Sequence, residues 1–416
     1  MLRNSGFFVA LALLAMPASA GVIVVDIAGG PGSQFTQIGF AVQAAAEGDV
    51  ILVRSGSYNP VFLGDKSLTI QADGGASLVD PNFGGGGGLS IANLSAGKRI
   101  VLRGLTFVGQ LDFGNGVFST SMIAQNCAGT LWIDTCTSNS QVVVTNCANV
   151  VVTNSNLRGG DCIQPPLSPR PALDVTTSNL FVHDTILIGG NGYGSSTSLP
   201  IHPGGDGSAA MRMVGGTAFL SNCATRGGAG GFGFLHPNAG CLSAGLGGPA
   251  LHLASGNPAV TTIDCVLAIG NPGNTPGACS PPTGTVPPVD VDSGTWTPWA
   301  GTPGGFTASS PVREQQSLQL AFKDAVGSSV FVLLSANASS ALTPQFSGAL
   351  ELAVPLLVTG LGSIPAGGTL SLPIVVPPLP AGVLGVVVYL QGATCPPTTP
   401  CTIGPPAAVV VLDSTL

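Results

Sequence analysis

Charge is what this chain has least of. Of its 416 residues only 7% are Asp, Glu, Lys or Arg, against about a quarter in an ordinary globular protein. The 12 basic residues are outnumbered by 19 acidic ones. That excludes a nucleic-acid partner, because affinity for a polyanion comes largely from neutralising its phosphates. Aromatic residues make up 6%, with three Trp and three Tyr. Two of the Trp, Trp296 and Trp299, fall late in the chain, so a dense sugar-stacking platform along the body is not expected. Long apolar runs are scarce too. Past the first turnings of the chain the best candidate, "GALELAVPLLVTGLGSI", is interrupted by Glu351 and Pro355, whereas a membrane helix needs about 20 apolar residues in succession. No membrane span is predicted.

Glycine (61) and proline (34) are plentiful instead, and there are ten cysteines. Such a composition favours turns and strands over helices. The first 20 residues differ from the rest. Arg3, the apolar "FFVALALLAM" and the small residues "ASA" at Ala18–Ala20 have the three-part pattern of a secretory signal. The expected mature chain starts at Gly21, carries 11 basic against 19 acidic residues once Arg3 is gone, and is secreted, periplasmic or at the cell surface. Disulfides persist in that setting. "CPPTTPC" closes a hairpin-sized loop and predicts a bond between Cys395 and Cys401, with Cys241 and Cys279 as a second pair on neighbouring loops.

The middle of the chain repeats itself. "SMIAQNCAGTLWIDTCTSNS" from Ser121 and "QVVVTNCANVVVTNSNLRGG" from Gln141 set Asn126 over Asn146, Cys127 over Cys147 and Asp134 over Asn154. Further copies begin at Ala172, Ala210 and Ala250, each with two short runs whose apolar residues alternate, such as Leu173/Val175, Met211/Met213 and Leu251/Leu253. A repeat this short cannot bury its own apolar face and has to stack on its neighbours. The predicted architecture is all-β, a parallel β-helix over residues 21–270. Asn126, Asn146, Asn154, Asp184, Asn222 and Asp264 mark a recurring corner, since Asn and Asp tolerate left-handed backbone. The small residues after them (Cys127, Cys147, Ser155, Thr185, Cys223, Cys265) form an interior column of inert thiols and hydroxyls. The paired glycines are read as a second corner.

"FTQIGFAVQAAAEGD" predicts an N-terminal capping helix with Thr36 as N-cap, an apolar stripe of Ile38, Val42 and Ala45, and a stop at Gly48. The longer stretch "FTQIGFAVQAAAEGDVILVRSGSY", followed by "SLTIQA", resembles the opening of pectin-lyase-like, right-handed parallel β-helix proteins. The matching positions include Phe35, Thr36, Ile38, Ala41, Val42, Gly48, Asp49, Ile51, Val53 and Tyr58. With the repeats, the resemblance covers about Val22 to Asn271. It implies the fold; the family holds lyases, hydrolases, epimerases and non-catalytic surface proteins alike. Residues 271–294 are Pro/Gly-rich and read as a linker. Residues 295–416 contain six short strands with Gly/Pro turns, from "SLQLAF" to "AAVVVL", and predict a small β-sandwich. "LGVVVYLQ" and "PAAVVVLD" resemble a C-terminal module of exported bacterial proteins.

Chemistry is sought in two places. Three long insertions follow the paired glycines and form one flank, which holds the candidate binding residues Tyr193, His202, Asp206, Phe232, Phe234 and His236; loops on a rigid scaffold are where binding residues usually sit. In "ALDV", "AMRM" and "ALHL" the middle outward residues Asp174, Arg212 and His252 form a column about 4.8 Å apart per coil, with Ala124 and Val144 expected below them. These three are the candidate catalytic residues. A complementary surface stack is the other reading of the column. A glycosidase needs two carboxylates about 5–9.5 Å apart, which Asp174 and Asp206 could supply, but neither a paired-aspartate nor a glycine-histidine-glycine segment of β-helix hydrolases is present. Lyases of this fold resemble a carboxylate-held calcium site beside an Arg or Lys base. Calcium wants six to eight oxygens, and Arg212 stands beside Asp174 alone. Zinc at His202, Asp206 and His236 has no standard spacing. The expectation is therefore a monomeric exported protein without a cofactor or a dedicated metal. Its role would be structural or in binding, with an extracellular polysaccharide or cell-surface component as partner. A polysaccharide lyase or glycoside hydrolase is the alternative.

Overall fold

The computed structural model describes residues 21–79, 88–109, 111–112, 117–118, 120–162, 167–195, 202–236, 240–277, 279, 281–343, 346–398 and 400–416. The signal segment read over 1–20 lies outside them.

The coil is there, and its strands stack in parallel on three faces. The first face runs from Val22–Val25 through Thr130–Asp134 and Asn149–Thr153 to Ala259–Ile263 and Thr295–Trp299. The second is narrow and includes Asn156–Arg158, Ile186–Ile188, Ala224–Arg226 and Val266–Ala268. The third runs from Val61–Leu63 through Met122–Gln125 and Val142–Thr145 to Leu251–Ser255 and Val289–Val291. Leu173, Val175, Met211, Met213, Leu251 and Leu253 all point inward and are fully buried. They belong to one apolar core that fills the coil.

The Asn/Asp positions mark two corners, not one: Asn126 and Asn146 follow third-face strands, whereas Asn154, Asp184, Asn222 and Asp264 follow first-face strands. Asn126, Asn146, Asn154, Asp184, Asn222 and Asp264 have φ between 47° and 55°, a left-handed backbone that most side chains avoid. Their side chains bond along the stack, Asn146 Nδ2 donating to Asn126 Oδ1 at 3.0 Å. Cys127, Cys147, Ser155, Thr185 and Cys223 behind them are buried, and Cys127, Cys147, Cys223 and Cys265 remain thiols. Cys395–Cys401 and Cys241–Cys279 are disulfides.

Three local expectations need correction. Asp134 pairs with Thr153 rather than lying over Asn154, because the turn after Asn126 is one residue longer than the turn after Asn146. Ala124 and Val144 align with Val175 on the inward side, so the residues below Asp174 in its column are Val143 and Ile123. The helix spans Ile38–Ala44 with Gln37, not Thr36, at its N-cap and no side-chain cap bond; Gln37 Oε1 instead accepts from Asn59 N at 3.0 Å. Ile38, Ala41 and Val42 are its buried face.

The paired glycines do not turn a corner. They are part of five extended segments, around residues 189–194, 203–208, 226–233, 243–249 and 269–274, that run alternately outward and back. Gly190 N donates to Arg170 O, Ser208 N to Gly190 O, Gly228 N to Ser208 O, Gly248 N to Gly228 O and Gly270 N to Gly248 O, all at 2.8–3.0 Å. Three residues on, the same ladder recurs from Gly205 N→Tyr193 O through Gly231 N→Gly205 O and Gly245 N→Gly231 O to Gly273 N→Gly245 O, at 2.8–2.9 Å. The remaining glycines tie segments of like direction: Gly192 N donates to Ala229 O, Gly230 N to Asn271 O and Gly207 N to Leu246 O. A period of three with all bonds between chains is that of packed polyproline II helices. Two of every three positions face a neighbouring backbone, and a Cβ there would stand 1.6 Å from Tyr193 O at Gly231 or 1.9 Å from Gly190 O at Gly228. Glycine is required here by space, not by φ.

The supposed linker belongs to the coil. Its start, near Asn271–Asn274, is the last segment of this glycine lattice. Val289–Val291 and Thr295–Trp299 add a final turn in register with Leu251–Leu253 and Ala259–Ile263. The coil therefore ends at Trp299.

Beyond it lie a three-stranded antiparallel sheet (Gly305–Ala308, Ser317–Lys323, Thr369–Val375) and a five-stranded one in which Gly385–Cys395 and Thr402–Leu412 are central. They face each other across an apolar core that includes Phe306, Phe322, Val332 and Leu390. The other side of the five-stranded sheet lies flat on the first face of the coil. Val101, Trp132, Val151, Phe181 and Phe219 pack there against Leu333, Leu352, Tyr389 and Ala408, while Val22, Val24, Val50 and Leu52 meet Val410 and Leu412. Trp132 and Tyr389 have ring centroids 5.2 Å apart. Charges are sealed in the same seam. His183 Nε2 meets Glu351 Oε1 at 2.8 Å and its Nδ1 meets Ser221 Oγ at 2.7 Å. Arg103 pairs with Asp134 and donates to Ala408 O. Burial raises the Glu351 carboxyl, with His183 and Gln391 opposing, and pulls Arg103 down to about 10.

Two outcomes follow from this packing. A chain truncated after Trp299 is expected to expose the Trp132–Phe219 strip and self-associate, since each such residue loses about 1.5–3 kcal/mol of burial; light scattering on a size-exclusion column checks it, and a well-behaved monomer would refute the seam. Gly228→Ala is expected to destabilise by about 3 kcal/mol or more through backbone overlap. Gly39→Ala, in the helix with open space at its Cβ position, should be neutral or stabilising by up to about 1 kcal/mol. Equilibrium unfolding of both variants decides.

Candidate functional site

The third face carries the outward column in the expected register. Asp174 pairs with Arg212, Arg212 with His252, and the added turn extends the line to Asp290. Buried inward neighbours on both sides of Asp174, Arg212 and His252 fix the direction of their side chains. Arg212 Nη1 lies 3.1 Å from Asp174 Oδ1, and Gln141 Nε2 donates to Asp174 Oδ2 at 3.0 Å. Both oxygens of Asp174 are thus occupied. His252 Nε2 sits 3.0 Å from Asp292 Oδ2 and 3.9 Å from Asp290 Oδ2. The column therefore divides into one satisfied ion pair and one imidazole facing two carboxylates. Neither aspartate of the upper pair was singled out in the sequence, because both fall in the stretch taken for a linker; the "VDV" alternation of Val289–Val291, matching "LHL", was the available signal.

The glycine lattice fixes the flank. Tyr193 and Asp206 line one cleft of about 380 Å³, together with Leu167, Ser168, Pro169 and the backbone of Gly204–Ser208. The Tyr193 ring lies across Gly205, where a Cβ would come within 2.6 Å of it. Burial raises the Tyr193 hydroxyl pKa, reinforced by Cys162 and Asp206. Asp206 Oδ1 accepts from Leu246 N at 2.7 Å, which anchors the carboxylate to the next segment. Phe232 rests on Gly194 with its side chain 58% exposed. Phe234 and His236 are placed elsewhere, on a small hairpin of Phe234–His236 with Gly240–Leu242, which the Cys241–Cys279 disulfide ties down. His202 is half-buried beside residues 196–201, which fall outside the description. Among the described residues the metal-type ligands that converge are His252, Asp290 and Asp292, not His202, Asp206 and His236.

No helix among the described residues is long and apolar enough to cross a membrane. Replacing Asp174 and Arg212 together by Ala is expected to change stability by less than about 1 kcal/mol, as for other partly exposed ion pairs. A thermal shift far beyond this in a calorimetric scan would mean that the pair supports the coil.

No protein-family profile matches the chain, and no curated protein does. Among solved structures it is similar to pectate lyase Pel9A (TM-score 0.38, 12% identity), over 59% of this chain and 63% of that one. It is also similar to the pectin methylesterase of Aspergillus niger (TM-score 0.27, 13% identity), over 68% and 84% of the two chains. A third is full-length tailspike protein 2 of an Escherichia coli O157:H7 bacteriophage (TM-score 0.24, 12% identity), over 96% and 69%. The match thus spans less than two thirds of the pectate lyase. At these identities the likeness concerns the fold, which the parallel strand pairing above already establishes as a β-helix.

Proposed function

We propose that this is an exported, monomeric β-helix protein that binds an extracellular polysaccharide or cell-surface glycan without turning it over. The observation that carries the reading is the Tyr193–Asp206 cleft. An aromatic ring is laid on bare backbone beside a hydrogen-bonded carboxylate. Apolar ring surface suits the C–H face of a sugar, and the carboxylate suits its hydroxyls; a few placed polar groups in a concave site give orientation. Reaction chemistry has less support. Asp174, the carboxylate of the proposed catalytic column, is engaged by Arg212 and Gln141, which leaves it neither a general acid nor one of several ligands to calcium. In this reading the helix Ile38–Ala44 caps the N-terminal end of the coil and the C-terminal sheets act as a sandwich-like cover, so that sheet edges do not pair with other chains.

The test is a glycan array with the purified chain, with release of reducing or unsaturated ends assayed alongside. Saturable binding without product release is expected. Tyr193→Ala and Asp206→Asn should each weaken it at least about tenfold, the 1.4 kcal/mol of one good contact, with the melting temperature unchanged. Product release that Asp174→Ala abolishes would establish the lyase or hydrolase alternative.

A further inference from the structure

The upper end of the outward column is electrically incomplete. Arg212, its cation, is bonded to Asp174. One turn further on, the ion-pair contacts of Asp290 and Asp292 run to a single imidazole, His252. The backbone holds these three residues together. His252 and Asp290 are opposite each other in a parallel pair of strands, and Asp292 N donates to Leu253 O at 2.9 Å. One side-chain atom from each residue, the imidazole nitrogen and a carboxylate oxygen from each aspartate, lies within 4.8 Å of the other two. Two carboxylates held side by side repel each other, and an imidazole nitrogen is a common partner to carboxylate oxygens in a metal's ligand set. A divalent cation completes the set.

We propose that His252, Asp290 and Asp292 form a binding site for a divalent cation of the zinc type. The donor set selects the class. One nitrogen and two carboxylate oxygens suit zinc and other divalent first-row metals such as cobalt, whereas calcium takes oxygen ligands and more of them. Zinc binds such atoms at about 2.0–2.2 Å, which puts them roughly 3.3 Å apart around a tetrahedron; the 3.0 and 3.9 Å separations from His252 Nε2 bracket that spacing. The side chain of Asp292 is 61% exposed, so the fourth position faces water. The ion ties the final turn of the coil, Val289–Val291, to Leu251–Ser255, and it stands independently of the glycan reading.

The full mature chain titrated with Co²⁺ alone, followed by visible absorption, tests the site. One equivalent should bind with the bands of nitrogen and oxygen ligation and no sulfur-to-metal charge-transfer band, and Zn²⁺ should displace it. His252→Ala and Asp290→Asn should each weaken binding at least tenfold. Because Asp290 lies within a paired strand, the more exposed Asp292→Asn serves as a second variant, with circular dichroism confirming its fold. Failure to saturate below about 100 µM, a charge-transfer band from a thiolate, or unchanged binding in the folded Asp292→Asn variant would each overturn the proposal. So would an unchanged melting temperature of the wild type on adding saturating Zn²⁺, since an ion bound to the folded chain must raise it.

Discussion

Everything in this molecule depends on one face of the coil being apolar on both sides. A β-helix usually needs its strands to alternate, apolar inward and polar outward. Here Val101, Trp132, Val151, Phe181 and Phe219 point out of the first face and are as buried as the residues behind them. Water cannot cover that strip at acceptable cost, so a second layer must, and the five-stranded sheet does. Its own central strands are apolar on both sides for the same reason: Val388 and Leu390 turn to the inner core and Tyr389 to the coil. The chain is thus a stack of layers, not two bodies on a tether.

The polar groups in the seam give that contact its register. His183 with Glu351 and Ser221, and Arg103 with Asp134 and Ala408, are satisfied by partners drawn from both halves. A displacement of one half by a single residue would strand buried charges, and removing one partner of such a pair commonly costs about 3–5 kcal/mol. Apolar contact alone would tolerate sliding. The His183–Glu351 and Arg103–Ala408 bonds, which cross the seam, do not.

The coil, the left-handed backbone at the Asn/Asp positions, the outward column and both disulfides were legible in the sequence, because each shows in the alignment of successive copies and their loops. The Asn/Asp residues read as one corner nevertheless fall on two. What was missed shares a different cause. Strands such as "LWID", "VVVT" and "LFVH" break the alternation seen in "LDV" and "MRM", and an unbroken apolar run is the mark of burial on both faces. Composition hid the rest. Gly227, Gly230 and Gly233 keep a period of three that distinguishes a packed array from flexible loops, but an abundance of glycine drew attention to turns. Asp290 and Asp292 were lost with the same stretch, and the slip at Asp134 came from a turn whose length differs between copies, whereas Val144 was read one place out of a register that the copies keep.

The glycine array separates the surface from the scaffold. Its cohesion lies mainly in main-chain bonds such as Gly228 N→Ser208 O and Gly231 N→Gly205 O, with Asn191 Oδ1 and Asp206 Oδ1 adding side-chain ties to Ala229 N and Leu246 N. One position in three, as at Ala229, Phe232 and Leu246, is left to project from it. Selection can rewrite those letters one at a time while the lattice beneath stays as it is. A single molecule of this design therefore has the makings of a lineage, with one frame and many possible faces.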